Sequence, residues 1–103
     1  MPYQQTLTAL ADPNRRMIVQ LLRGGPRNVS NIAQNFQISR PAVSQHLKVL
    51  CDAGLLRATP VGNRRHYSLC TEGVDDLRTY LDEMWGTVLD SFADHIERTS
   101  END

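Results

Sequence analysis

The chain has 103 residues, 40% hydrophobic and 22% charged, a size and balance suited to one globular domain with a single modest core. Its apolar runs are only a few residues long, so no membrane span is expected, and Met1-Pro2-Tyr3-Gln4-Gln5 lacks the basic and apolar regions of a secretory signal. The cytoplasm is therefore the expected compartment, where Cys51 and Cys70 stay reduced; two cysteines are in any case too few for a disulfide-built scaffold. The net charge of -1 conceals a split. Residues 13–70 hold nine basic side chains against Asp52, whereas residues 71–103 hold ten acids against Arg78 and Arg98. A basic middle suits contact with a polyanion, although two solvated faces would give the same count.

Leu7, Leu10 and Ala11 at helical spacing predict a first helix over residues 3–11. Asp12-Pro13 then reads as an N-cap followed by proline at the first helical position, opening a second helix that runs to about Arg23. That helix turns Ile18, Leu21 and Leu22 to one side, and Gly24-Gly25-Pro26 stops it. Asn28 caps a third helix with Val29, Ile32, Ala33 and Phe36 inward, followed by a tight turn at Gln37-Ile38.

The helix expected over residues 39–53 is punctuated at both ends. Ser39 is its N-cap, Pro41 lies in the first turn where a missing N–H does no harm, and Gly54 stands where a left-handed C-cap belongs. Val43, Leu47 and Leu50 form its buried stripe, which leaves Arg40, Ser44, Gln45 and Lys48 outward. Residues 55–59 and 65–69 read as two short strands around a basic tip, Pro60-Val61-Gly62-Asn63-Arg64. Thr71 is the expected cap of a last helix, residues 71–97. Its apolar positions Val74, Leu77, Leu81, Met84, Trp85, Val88, Leu89, Phe92 and Ile96 recur by threes and fours. The stripe is long for a domain of this size, which predicts a homodimer through Leu7, Leu81, Trp85, Val88, Leu89 and Phe92, the alternative being an ordinary core helix. The tail beyond Arg98 is polar and expected to fray.

Two helices joined by a tight turn over residues 28–53, the second carrying small and amide side chains outward, make a helix-turn-helix whose second helix enters the major groove of double-stranded DNA. Gln45 can pair bidentately with adenine, Arg40 can reach guanine or a phosphate, and Ser44 permits close approach. Lys48 can hold a phosphate; His46 can donate to DNA or pack its ring against the neighbouring helix. At the hairpin tip Arg64 and Arg65, beside Gly62-Asn63, are placed to follow a minor groove, with Tyr67 packed under the wing. The expected architecture is thus mainly α: five helices and a two-stranded β wing (residues 55–69), in one domain over residues 1–103. No nucleophile, base and orienting group fall at a suggestive spacing and no glycine-rich phosphate loop occurs, so no enzymatic activity and no cofactor are expected.

Leu10-Ala11-Asp12-Pro13-Asn14-Arg15-Arg16, the run Ser39-Arg40-Pro41-Ala42-Val43-Ser44-Gln45-His46-Leu47-Lys48-Val49-Leu50, and Ala53-Gly54-Leu55 together resemble the ArsR/SmtB-type winged-helix repressors, over residues 5 to about 97. The resemblance implies a homodimer built from the first and last helices, a palindromic operator, and repression of the protein's own or a neighbouring operon. It does not bring the metal sites with it. Residues 28–36 contain no Cys, His or acid where thiolate-type members carry Cys-x-Cys, and the last helix has one histidine, His95, between Asp94 and Glu97 where two ligand pairs are needed. No metal ligand is therefore assigned, and the end of the chain resembles the non-metal, SdpR-like branch. The alternative is a repressor of the same fold answering to thiol oxidation or metal through Cys51 and Cys70, with His66 and His95. No effector is legible in the sequence.

Overall fold

The computed structural model describes residues 2–101, and the side chains of residues 3–96. The extreme ends of the domain expected over 1–103 lie outside the described residues. Helices α1 (Pro2–Leu10) and α2 (Pro13–Leu22) meet at the Asp12-Pro13 junction. Asp12 is extended, at φ -86° and ψ 128°, and its carboxylate accepts the N–H groups of Asn14 at 2.8 Å and Arg15 at 3.2 Å. Two of the amides that a helix start leaves without partners are thereby satisfied.

This cap carries a pH dependence. Partial desolvation pushes the Asp12 carboxyl up, but the two amides and the nearby His46 and Arg15 outweigh it and hold the group below its ordinary value of 3.8. A carboxylate depressed on folding adds stability above its unfolded pKa and loses it as pH falls through the folded one. We expect Asp12→Asn, which keeps the acceptor, to melt within a degree or two of wild type at pH 7. Asp12→Ala should melt several degrees lower, and that gap should narrow progressively as pH falls from about 4 through the lowered pKa of the folded carboxylate. A gap that stays as wide at the lowest pH at which both proteins fold as it is at pH 7 would assign the loss to something other than the charged cap.

A two-residue strand, β1 (Arg27–Asn28), leads into α3 (Val29–Ala33), which is a single short turn of helix capped by Asn28, whose side chain accepts the Asn31 N–H at 2.8 Å. The third helix is thus shorter than the periodicity predicts, because Gln34 and Asn35 already turn away before Phe36. Helix α4 (Arg40–Asp52) matches its punctuation: Ser39 Oγ accepts the Ala42 N–H at 3.2 Å, and the helix closes with Gly54 at φ +75°. The Leu55 N–H reaches back to the Leu50 carbonyl and the Gly54 N–H to that of Cys51, the paired closure for which a left-handed glycine is the favoured residue.

Strands β2 (Leu56–Val61) and β3 (Arg64–Leu69) pair antiparallel from Leu56 opposite Leu69 to Val61 opposite Arg64. The strands therefore reach further than expected and the tip shrinks to Gly62-Asn63, with Gly62 at φ +61° as the first turn residue, a position that favours glycine in a type II′ hairpin. The sheet also has three strands rather than two, in the order β1-β3-β2, because Arg27 and Asn28 pair with Tyr67 and His66. This addition ties the start of the helix-turn-helix to the wing.

The last helix, α5 (Glu72–Glu101), runs past residue 97 and into the segment expected to fray, the last two residues of which lie outside the described residues. Thr71 does not cap it with its side chain. Its carbonyl accepts the Asp75 N–H at 2.8 Å, but the Gly73 N–H is taken by the Gly54 carbonyl at 3.0 Å. Thr6, fully buried on α1, donates its hydroxyl to the Gly73 carbonyl at 2.9 Å, and Tyr3 stacks on Tyr80 with ring centroids 4.1 Å apart.

One core cluster joins Ala9, Ile18, Leu22, Ile32, Val43, Leu47, Leu50, Ala53, Leu55 and Leu56. Val43, Leu47 and Leu50 are completely buried, each contributing about 1.5–3 kcal/mol, which anchors α4 by one face. Leu21, assigned to the buried stripe of α2, is half-buried at the rim. α5 adds no large side chain to this cluster. The radius of gyration is 17.4 Å against about 13 Å for a compact chain of this length, because α5 projects beyond the core it starts from.

Candidate nucleic-acid interface

With Val43, Leu47 and Leu50 inside, the opposite face of α4 presents Arg40, Ser44, Gln45 and Lys48 to solvent. His46 is not in that row. One residue beyond Gln45 turns the side chain about 100° around the helix, and the half-buried ring lies toward α2, its Nδ1 3.4 Å from Arg15 Nη1. Of the two expectations for His46, the geometry favours packing against the neighbouring helix.

Eight of the nine cations of the basic middle fall into two groups that sequence counting merged, and the ninth, Arg23, is exposed at the end of α2. Arg15 donates from Nε to the Ala9 carbonyl at 2.6 Å and from Nη2 to that of Thr8 at 3.0 Å, while Arg16 Nη1 donates to Leu10 and Ala11 at 2.8 and 3.0 Å. Both arginines therefore close the carbonyl end of α1, which has no glycine cap. Their place just after the Asp12-Pro13 cap was the available signal. Arg27 donates to Asn31 Oδ1 at 2.7 Å within its own segment. Arg57 approaches Glu72 and the Cys70 sulfur, each at 4.0 Å, both charged groups being exposed, a pair that adds little stability.

Arg40, Lys48, Arg64 and Arg65 make no ion pair among the described residues, and they converge. Arg40, Arg64 and Arg65 line one hollow between the start of α4 and the wing tip, while Lys48 and Arg65 line a second between the middle of α4 and the wing. Tyr67 is half-buried beneath the wing against the core and borders both hollows. An exposed amide and hydroxyl on a rigid helix, flanked by cations and a basic hairpin, can read base edges while neutralising phosphates.

Cys51 and Cys70 are unbridged and half-buried. Burial, with the neighbouring Asp52 and Cys70, pushes the Cys51 thiol up against the opposing pull of Arg65, so it stays protonated and slow to react at neutral pH. His66 lies in β3 opposite Asn28 and Thr59, and His95 on α5. Among the described residues no three His, Cys, Asp or Glu side chains gather closely enough to hold a metal ion, and no helix is long and apolar enough to cross a membrane.

The α5 stripe faces solvent: Leu81, Trp85, Val88, Leu89 and Phe92 are 41–63% exposed, and Leu7 on α1 is 46% exposed.

Residues 12–58, which span α2 to the first half of the wing, match the family model for bacterial regulatory proteins of the arsR family. The chain is 48% identical over 89 residues to the HTH-type transcriptional regulator Rv2034 of Mycobacterium tuberculosis, covering 86% of this chain and 83% of that protein. It is 40% identical over 68 residues to the transcriptional repressor SdpR of Bacillus subtilis, covering 66% and 76%. Among solved structures it resembles the homodimeric winged helix-turn-helix DNA-binding domain Mb0332 of Mycobacterium bovis, with a TM-score of 0.66, 30% identity and 81% of each chain covered. The chain belongs to the arsR family and is a DNA-binding transcriptional regulator with a winged helix-turn-helix fold.

Proposed function

We propose that this regulator is a cytoplasmic, homodimeric repressor that binds a palindromic operator, α4 of each protomer lying in a major groove and the wing beside it. The observation that carries the reading is the row Arg40, Ser44, Gln45 and Lys48, exposed on a helix fixed at both ends and set next to the cations of the wing. In this reading Gln45 and Ser44 face base edges, the wing tip with Arg64 follows the neighbouring groove, and His46 steadies α4 against α2 through Arg15. Residues 1–103 act as one domain. Its dimer contact comes from α1 and α5 through Leu7, Leu81, Trp85, Val88, Leu89 and Phe92, which is supported by the unburied stripe and by the homodimeric Mb0332 domain. Similarity to SdpR, together with the missing ligand pairs, supports the branch that does without a metal, and the protonated Cys51 thiol weighs against the thiol-responsive alternative. No effector is assigned.

The test is to sequence genomic fragments retained by the purified protein and to measure binding to the recovered site across a salt series. A site with two related halves about one helical turn apart is expected. Gln45→Ala should cut discrimination between that site and a scrambled duplex by about 1–3 kcal/mol with the salt slope unchanged. Discrimination left at the wild-type level would remove Gln45 as the reading residue, and retention of fragments without a shared motif would overturn the operator reading.

A further inference from the structure

Near the start of α4 one exposed side chain is a proline ring. Pro41 has no N–H, so it leaves no amide without a partner in a first turn where Ser39 Oγ takes the Ala42 N–H at 3.2 Å and the Ser39 carbonyl takes that of Val43 at 3.0 Å. That accounts for the backbone and leaves the ring unused. Pro41 is exposed and belongs neither to the core cluster nor to the half-buried side chains packed against it. The period of α4 fixes where the ring stands. At about 100° per residue, Pro41 lies about 40° around the helix from Gln45, four residues on, and about 20° from Lys48, seven residues on. It therefore stands in one row with them, opposite Val43, Leu47 and Leu50. Arg40, one residue earlier, turns aside to the hollow it shares with Arg64 and Arg65, which Pro41 does not line.

We infer that Pro41 is a specificity-determining residue that reads thymine by packing its ring on the C5 methyl group. The inference rests on the DNA-binding reading above. Base edges in the major groove present donors, acceptors and one apolar group, the thymine methyl. Ser44 and Gln45 bring hydrogen-bonding groups to those edges, whereas the Pro41 side chain has neither donor nor acceptor and offers only apolar surface. It stands among the N-terminal residues of the helix, the part through which a recognition helix meets bases. The ring also has no rotamer freedom to lose on contact. Pro41 and Gln45 are about 6 Å apart along the helix axis, under two base-pair steps of about 3.4 Å. The thymine that Pro41 reads therefore lies within two base pairs of the base that Gln45 reads.

The experiment uses the full chain and its recovered operator, in which each thymine is replaced in turn by deoxyuridine, which lacks only the methyl group. Wild type should lose affinity about fourfold at one thymine per half-site, and about fifteenfold when both halves are changed, the effect of one buried methyl at each. That thymine should lie within two base pairs of the position where Gln45→Ala relaxes base preference. Pro41→Ser, which removes the apolar ring, should bind the thymine and deoxyuridine operators equally, and Pro41→Ala should shrink the difference. Gln45→Ala should keep the wild-type loss. If the ring served only to start the helix, Pro41→Ser would weaken both operators by the same factor and leave the deoxyuridine loss intact. That result, or a wild type indifferent to deoxyuridine at every thymine near the Gln45 position, would overturn the inference. Wild type with no preference for the operator over a scrambled duplex would instead sink the DNA-binding reading itself. Pro41 is exposed, so both variants should keep the circular dichroism of wild type and melt within a few degrees of it. Should Pro41→Ser fail to fold, the scan on wild type and on Pro41→Ala decides the question.

Discussion

Val88→Asp is expected to convert the protein to a monomer of 11.6 kDa at micromolar concentration and to weaken operator binding by about a hundredfold or more. Val88 is 59% exposed in the middle of the α5 stripe, between Trp85 and Phe92. In a symmetric dimer one substitution places two carboxylates in the apolar contact, on helices that already carry Asp82, Glu83, Asp90 and Asp94. Coupling two half-site contacts commonly multiplies affinity by 10²–10⁴, and that factor disappears with the dimer. The fold itself should survive, since α5 supplies no large side chain to the buried core. Sedimentation and circular dichroism on the same samples make the comparison. A Val88→Asp protein that still sediments as a dimer would place the interface elsewhere.

Gly73→Ala is expected to produce the largest loss of stability among single methyl additions to this chain. A Cβ at Gly73 would lie 2.1 Å from the Ala53 carbonyl oxygen and 3.0 Å from Thr6 Oγ1. The first neighbour is backbone at the closure of α4, so no flexible side chain can swing aside. Overpacking of this kind costs about 1–3 kcal/mol, and we expect the upper end, a fall in melting temperature of roughly 10 °C or more. Gly86→Ala is the control. Nothing lies within 4 Å of its added carbon, and replacing a helical glycine should stabilise by about 0.5–1 kcal/mol. Equal melting of wild type and Gly73→Ala would show that the joint relaxes freely. In the proposed dimer the joint also has a functional reach, because Gly54, Ala53 and Gly73 connect α4, the proposed DNA-facing helix, to α5, the proposed dimer helix. Gly73→Ala should therefore lower operator affinity more than its loss of folded population explains, by altering the spacing between the two copies of α4.

The features of α4 were legible because each is local. Ser39, Pro41 and Gly54 act within a turn of their own positions, and the 3.6-residue period of Val43, Leu47 and Leu50 marks the inner face without knowledge of what it packs against. The same reasoning overran α3, where apolar residues at helical spacing continue to Phe36 although the backbone turns at Gln34. β1 left no trace in the sequence, since a two-residue strand has no period and exists only because β3 offers it a partner. Thr71 was misassigned as a side-chain cap for a related reason: the amide it would serve is claimed by the Gly54 carbonyl from another element.

Neighbouring residues alone marked the ends of α2 and α4, the apolar faces of those helices, and the division of the chain into a basic middle and an acidic end. Capping, periodicity and charge are properties of neighbours along the chain, and they need no fold to be read. Only the tertiary structure decided how those parts are used. It engaged Arg15 and Arg16 in closing α1, turned His46 toward α2, and brought Arg40 beside Arg64 and Arg65, and Lys48 beside Arg65, around the hollows between α4 and the wing. It also locked α1 to α5 where Thr6 meets Gly73, 67 residues away. Such partners are selected by close packing between distant segments, where a donor bonds whichever carbonyl the fold sets at about 3 Å, and no local pattern encodes that distance.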